Sequence, residues 1–304
     1  MASTIQNVAL AGATGNLGEP ILKALLSSGN FNVTALTREG SNSTFPPNVT
    51  VARVDYGSIS NLTEALKGQD AFISTVGTAG VGQQQKLVDA ALAAGVKRFI
   101  PSEFGCDTTN PNSANLPVYK AKVEMQQCLE DKCKGSCMTY TLVLNNAFLD
   151  WGIKVGFLID LKEKKMTRYD GGERRFSTTL LSTIAQGVVG VLNHPEETAN
   201  TAVRIHDLIL TQNKMLAMAK KAVGGQGWTV DDKTTVENEE EAYKMLQNGE
   251  GESRGPAMIK FLMSGVFREG YGGAFEQNDN TLLGIEGMSE HQVEELMKKI
   301  ASEI

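Results

Sequence analysis

The sequence predicts an α/β chain: a doubly wound parallel sheet with helices on both faces, joined to a smaller, interleaved second unit. Three observations carry this. Short apolar runs alternate with helical patterns through residues 1–150. The first of those runs opens into a glycine-rich turn that leads straight into a helix. Past residue 150 the alternation gives way to helical segments separated by glycine-rich joints.

Taken in order, the strand-like runs are Asn7–Ala11, Phe31–Leu36, Thr50–Val54, Ala71–Val76, Arg98–Pro101 and Thr139–Leu144. Between them the spacing predicts helices over Glu19–Ser28, Ile59–Leu66, Gln83–Ala94 and Val118–Asp131. Strand–helix alternation at this period implies parallel strands with crossover helices. The strands are continuously apolar rather than alternating, as expected when helices cover both faces. In the second half the joints are Asp170-Gly171-Gly172, Gly224-Gly225-Gln226-Gly227 and Gly270-Tyr271-Gly272-Gly273. Helices are expected there over Thr178–Leu192, Thr211–Ala222, Glu239–Gln247 and His291–Ser302. The acidic run Glu237–Glu241 reads as a solvated first helical turn, where carboxylates suit the helix dipole.

A chain of 304 residues exceeds the usual single core. A net charge of −6 argues against nucleic acid or an anionic membrane as the main partner. No apolar run has the length of a membrane span, and the opening MASTIQNVALAGATG lacks the pattern of a signal peptide. A cytoplasmic, reducing location follows as the expectation. Cys106, Cys128, Cys133 and Cys137 fit it, since they form no secreted disulfide framework and lack the paired spacing of a zinc site. No metal is expected.

Residues 8–18 read VALAGATGNLG: a strand, a turn holding Gly12, Gly15 and Gly18, then a helix. Glycines let the backbone turn tightly and approach a pyrophosphate, which rests on the helix N-terminus. Thr14, Asn16 and Leu17 complete that turn. The spacing is G-x-x-G-x-x-G, not the commoner G-x-G-x-x-G, but its place after a buried strand at the head of a strand–helix–strand unit points to a Rossmann dinucleotide loop. The second strand then discriminates between cofactors. An NAD site usually ends it with Asp or Glu on the ribose 2′-hydroxyl. Here it ends Ala35-Leu36-Thr37-Arg38, with a guanidinium able to offer a forked bond to a 2′-phosphate. NADP is therefore expected over NAD, with Glu39 next door working the other way.

These residues also carry a resemblance. GATGNLG (12–18), TRE (37–39), VKRFIPSEFG (96–105), YKAKV (119–123), YTLVLNNAF (140–148) and VVGVLNHPEETAN (188–200) run in order along about two thirds of the chain. In them the chain resembles the isoflavone reductase-like branch of the NmrA-like, atypical short-chain dehydrogenases. Its relatives include the phenylcoumaran benzylic ether and pinoresinol–lariciresinol reductases. The C-terminal third matches only loosely. The resemblance implies an NADP-binding domain over residues 1–150, with 178–205 packing back onto it. It implies a mainly substrate-binding domain over 151–304, and an active site in the cleft between them.

The general short-chain pattern places a tyrosine four residues before its lysine, but here that position is Leu116. The resemblance implies a lysine in acid–base work instead, and alignment forward from PSEFG puts it on Lys120. On a helix Tyr119 and Lys120 point about 100° apart, so both cannot face one substrate atom. The competing reading is a solvent-facing lysine in a Lys-Ala-Lys run shared with Lys122. More loosely, the resemblance places Thr75, Val76, Gly77, Gln84, Ser102, Glu103, Phe104, Asn146 and Phe148 beside the cofactor, together with Lys120. Phe148 reads equally well as core. Arg98 and Lys97 read as solvated. His194 and His291 offer no rival mechanism, and His206 beside Asp207, taken as neighbours in a strand, would face opposite ways.

The expectation is an NADPH-dependent reductase of a small aromatic or apolar secondary metabolite, monomeric or homodimeric. The alternatives are a dinucleotide-sensing regulator without turnover and a lyase or isomerase using the same pocket.

Overall fold

The computed structural model describes residues 4–77, 80, 84–248 and 254–304. Its strands are β1 (Asn7–Ala11), β2 (Asn32–Arg38), β3 (Thr50–Val54), β4 (Ala71–Ser74), β5 (Arg98–Ile100), β6 (Thr139–Leu144), β7 (Ala147–Phe148), β8 (Lys165–Tyr169), β9 (Arg175–Thr179), β10 (Thr201–Arg204), β11 (Leu208–Thr211) and β12 (Thr229–Lys233). Its helices are α1 (Gly18–Ser28), α2 (Ile59–Leu66), α3 (Gln84–Ala94), α4 (Pro111–Ala114), α5 (Lys120–Cys133), α6 (Leu149–Lys154), α7 (Leu181–Asn193), α8 (Gln212–Val223), α9 (Thr235–Asn248), α10 (Arg254–Phe267) and α11 (Glu290–Glu303). A 3-10 turn, Pro117–Tyr119, leads into α5.

Seven strands form one parallel sheet in the order β10-β6-β5-β4-β1-β2-β3. The order reverses between β1 and β4, and such a switch point opens a crevice at the strands' C-terminal ends. β1 shows why its sequence is apolar throughout. Val8 and Leu10 face a core with Ile21 and Leu25 of α1 and Ile184 and Val188 of α7. Ala9 and Ala11 face the other, with Leu62 and Leu66 of α2, Leu87 of α3 and Leu129 of α5. Alternate residues serve opposite faces, and both are dry.

A third core gathers Leu149 and Ile153 of α6, Phe261 and Phe267 of α10 and Met297 of α11. Around it lie a three-stranded sheet, β11-β9-β7, and the parallel pair β12-β8. β10 returns to the edge of the large sheet beside β6, and α7 lies against α1. The two parts of the chain are thus interleaved.

Some details depart from the sequence patterns. β9 occupies part of the expected Thr178–Leu192 helix, so α7 starts at Leu181. β8, β9 and β12 are short and largely polar, with no continuous apolar run to reveal them. α10 is broken in sequence by Gly255, Pro256 and Gly265. Its proline falls in the first turn, where a missing N–H costs nothing. Gln83, the expected start of α3, lies outside the described residues.

Arg98 is not solvated but buried, at 2% exposure. Its guanidinium donates to the hydroxyls of Thr139 and Thr141 at 2.8 Å and of Thr198 at 2.9 Å, and to the Pro195 carbonyl. Burial pulls its pKa down to about 10. These bonds clamp β5 and β6 to the turn after α7. Lys97, by contrast, is half-exposed and paired with Asp70 at 2.8 Å.

Candidate active site

The loop after β1 is built so that side chains are excluded from it. Gly12 sits at φ +83°, and a Cβ there would come within 2.7 Å of the Thr75 carbonyl oxygen. A Cβ on Gly18 would lie 2.0 Å from the Gly12 oxygen. Gly15 closes the turn by donating to the Gly12 carbonyl at 2.9 Å, while Thr14, Gly15 and Asn16 are exposed above α1. Leu17 is buried in the core beneath, so the loop meets solvent through its backbone and its polar residues. Exposed N–H groups at the N-terminus of an 11-residue helix suit a pyrophosphate. At the tip of β2, Thr37 is buried and Arg38 exposed, and Arg38 makes no ion pair among the described residues. The donor set therefore fits a dinucleotide carrying a 2′-phosphate.

The other strand tips hold the crevice open through their own contacts. Thr75 donates its hydroxyl to the Ala11 carbonyl at 2.8 Å, pinning β4 to β1, with Val76 and the exposed Gly77 following. Ser102 donates to the Val76 carbonyl at 2.9 Å. Gln84 is 1% exposed and accepts the Ser102 amide at 2.9 Å. Its amide oxygen is thus engaged by the Ser102 backbone. Glu103 follows Ser102 in the same loop. At 1% exposure its carboxylate turns inward, accepting from Gln126 at 3.0 Å and from the Thr108 hydroxyl.

Beside these tips lies a cavity of about 1020 Å³. Phe104, Cys106, Tyr119, Lys122, Asn146 and Phe148 line one end of it. Trp151, Phe157, Leu158, Met166, Leu262 and Met263 form an apolar wall. Phe148 and Trp151 meet edge to face at 6.4 Å, which makes Phe148 a wall of the cavity as well as a neighbour of the core. Asn146 takes a left-handed conformation, φ 50°, that turns it inward. There it accepts from the Cys106 thiol at 3.4 Å and donates to the Gly273 carbonyl.

Of the two lysines in the Lys-Ala-Lys run, Lys122 borders this cavity, which Lys165, Lys233 and Lys260 also line. Lys120 is the first residue of α5; its side chain is 78% exposed and reaches only Glu124, at 3.9 Å. Two residues on, the helix has turned by about 200°, which carries Lys122 to the opposite side. Lys122 Nζ donates to the Glu103 carbonyl and, at 2.9 Å, to the Phe104 carbonyl. It keeps some accessible surface where it borders the cavity. Burial accordingly lowers its pKa, against the opposing pull of Glu103 and Cys106. Burial raises the Cys106 thiol and drives Tyr119 well above the phenol range, so both stay protonated at neutral pH. The Tyr119 hydroxyl is buried without a hydrogen-bond partner.

His206 and Asp207 lie between β10 and β11 rather than within a strand. They still form no dyad. His206 Nδ1 meets the Ser177 hydroxyl at 3.1 Å, while Asp207 accepts from the Leu180 amide and the Thr183 hydroxyl at the start of α7. Among the described residues no group of His, Cys, Asp and Glu could hold a metal, all four cysteines are free, and no helix is long and apolar enough to cross a membrane.

A glycine loop at the switch point of a parallel sheet, beside a largely apolar cavity, defines a Rossmann-type dinucleotide-binding protein. Its particular family follows from comparison: residues 4–227 match the model of the NmrA-like family, and the chain belongs to it. It is 35% identical over 297 residues to oxidoreductase poxI of Penicillium oxalicum, covering 93% of this chain and 91% of that one. It is 30% identical over 185 residues to phenylcoumaran benzylic ether reductase PT1 of Pinus taeda, covering 55% and 58%. A solved structure, AtPrR2 with NADP+ and (+)pinoresinol, superposes with a TM-score of 0.77 at 20% identity, over 99% of this chain and 100% of that one. The likeness to poxI takes in the C-terminal third, where the motifs of the plant reductases match only loosely.

Proposed function

We propose that the protein is an NADPH-dependent reductase of a small aromatic or apolar metabolite, with Lys122 as the proton-donating group. The single observation that carries this is Lys122 itself. An ammonium has three N–H donors. Two are taken by the Glu103 and Phe104 carbonyls, which leaves one for a substrate oxygen in the cavity.

The Gly12–Gly18 loop and Arg38 would hold NADPH, which would supply the hydride. The chain's own residues do the rest. Phe104, Phe148 and Trp151 offer flat apolar surface to an aromatic ring and keep water from the reacting atoms. Lys122 holds a proton at Nζ beside the position where negative charge develops on oxygen. Its lowered pKa brings it nearer to neutral, where proton transfer from nitrogen is easier. Tyr119 and Cys106 hold their protons too firmly to compete. The relative named an oxidoreductase matches along nearly the whole chain, which supports the reaction class.

The test is a metabolite screen that follows NADPH absorbance, with Lys122→Ala as the blank. Oxidation of NADPH by the unmutated protein and not by the blank is the expected result. A protein that binds NADPH tightly but never consumes it, whatever small aromatic or apolar compound is offered, would refute the reading.

A further inference from the structure

The other end of the cavity is built on β8 and β12, and its chemistry is ionic. The two strands run parallel, with Thr167 opposite Asp231 and Tyr169 opposite Lys233. Alternate residues of a strand share a face. Lys165, Thr167 and Tyr169 of β8 line the cavity with Asp231 and Lys233 of β12. Arg168 and Asp232, one position on, do not line it and pair with each other at 2.6 Å. Asp160 joins the lining through an antiparallel bridge to Lys165, and its Oδ1 accepts the Glu163 amide at 2.8 Å.

The charges at this end are unevenly matched. Lys165 pairs with Glu163 at 3.9 Å, while Lys233 and Lys260 share Glu241 at 3.5 and 2.6 Å. Both glutamates lie outside the lining, so each lining lysine has a partner that the cavity does not supply. Asp160 and Asp231 line the cavity with no cation in ion-pair distance among the described residues. The negative charges are therefore the ones left open to a ligand. The cavity also holds Trp151 and Phe157, ring centroids 5.9 Å apart, and aromatic faces attract an ammonium.

We propose that this end of the cavity selects substrates carrying a basic amine, with Asp160 and Asp231 as the groups that bind it. This deepens the reading of the cavity as the substrate site and rests on it. A cavity of about 1020 Å³ has room for a molecule that reaches from the strand tips to the β8–β12 pair. Its aromatic part would lie along the apolar wall and its ammonium between the two carboxylates. A substrate carboxylate would meet two like charges there, and a neutral hydroxyl would leave both uncompensated. Lys165 is the internal rival. It shares the face with Thr167 and Asp231 and is held only by an exposed pair with Glu163. Asp231 is itself exposed, so water screens it and the selection is moderate rather than absolute.

The test compares three biphenyls that differ only in one para group: aminomethyl, hydroxymethyl and carboxylate. Binding to the full chain with NADP+ present is followed at neutral pH by tryptophan fluorescence. The chain has two tryptophans, so a Trp228→Phe background leaves Trp151 in the cavity wall as the reporter. Calorimetry on the parent serves if that background does not fold. The aminomethyl compound should bind about 10-fold tighter than the hydroxymethyl one, the scale of one charge-assisted hydrogen bond. Asp160→Asn and Asp231→Asn should each narrow the gap, and the double variant should erase it while hydroxymethyl affinity stays within about two-fold, since a neutral group loses no charge pairing. Lys165→Ala should widen it. Equal binding of the amine and the alcohol overturns the proposal, as does tightest binding of the carboxylate, which would put the lysines in control. Failure of all three to bind overturns it too, and so does a preference for the amine that survives the double variant. No turnover is read, so amine selection by a protein that never consumes NADPH refutes the reductase reading and leaves this proposal standing.

Discussion

Lys122 Nζ lies 5.9 Å from the centroid of the Tyr119 ring, three residues along one helix face, while Lys120, next to Tyr119 in sequence, points away to Glu124. The two lysines of one Lys-Ala-Lys run therefore have opposite fates. Lys122→Ala should cut turnover by about 10²–10⁴, the usual scale for a lost general acid, and leave NADPH affinity within a few-fold. Lys120→Ala should change neither, since it removes only an exposed pairing. Steady-state kinetics on the two variants decides between them, and a crippled Lys120→Ala with an active Lys122→Ala would reverse the assignment.

That choice shows where sequence reading stops. The large sheet was legible because strands covered on both faces are continuously apolar, as β1 is. The glycine loop was legible because its conformation demands glycine at fixed positions. The lysine was not, because a 3-10 turn, Pro117–Tyr119, sets the phase in which α5 begins, and two residues of slip turn a helix by more than half a circle. The pairings of Gln84 and Glu103 were hidden for a different reason. Their side chains bind partners on other elements, Ser102 and Gln126, and nothing local marks those pairings. The strands β8 and β12 form a two-stranded sheet in which only Met166 and Tyr169 are buried, so neither carries a continuous apolar run.

The loop glycines are not equivalent. Gly15 has an ordinary φ and, among the three, the most open surroundings, with only the Gly12 oxygen near a Cβ, at 3.2 Å. Gly15→Val should fold with stability within about 1 kcal/mol of the parent and lose NADPH, because the branched side chain blocks backbone approach to the pyrophosphate. Gly12→Val should destabilise the protein itself, by about 1–3 kcal/mol from the left-handed backbone alone, with the Thr75 backbone adding to it. Thermal unfolding beside NADPH titration separates the two. Normal NADPH binding by folded Gly15→Val would show that the loop does not hold phosphate.

Arg38 governs cofactor choice. Exposed at the end of β2, it is available to a 2′-phosphate. NADPH should bind tighter than NADH by one or two charge-assisted hydrogen bonds, about 1.5–3 kcal/mol each. Arg38→Ala should narrow that gap chiefly by weakening NADPH. Calorimetry on both cofactors provides the check, and equal affinities in the unmutated protein would contradict it.

His206 should make folding sensitive to mild acid. Burial lowers its pKa below the ordinary value, with Glu276 pulling the other way. Between the folded pKa and about 6.5 the unfolded chain binds a proton that the folded chain resists, so stability rises with pH in that window and falls as pH drops through it. Asp150 and Asp207, whose pKa values burial raises, contribute with the opposite sign at more acidic pH. Denaturant unfolding of the parent and of His206→Gln between pH 5 and 7.5, a range set by the ordinary His value of about 6.5, isolates the histidine. The variant should show a flatter slope, and identical slopes would mean that His206 protonates freely in the fold.

Gly265 and Tyr119 should prove energetically coupled. A Cβ on Gly265 would stand 2.7 Å from the Tyr119 hydroxyl, 3.2 Å from its ring and 3.3 Å from Cys106 Sγ. Gly265→Ala should therefore cost about 1–3 kcal/mol, the range for overpacking, despite the better helix propensity of alanine. Tyr119→Phe should be nearly neutral, because the buried hydroxyl it removes has no partner to leave behind. Combined, the two should cost less than their sum: without the oxygen the nearest obstacle is gone, and the remaining contacts need a shift of only a few tenths of an ångström. A coupling of at least about 0.5 kcal/mol in a double-mutant cycle is expected. Strict additivity would mean that the methyl group is accommodated by movement of α10 and not opposed by the hydroxyl. Turnover measured on the same proteins adds a second reading. If Tyr119 only shapes the cavity around Lys122, Tyr119→Phe keeps its rate while Gly265→Ala, by pushing the ring toward Lys122, loses some of it.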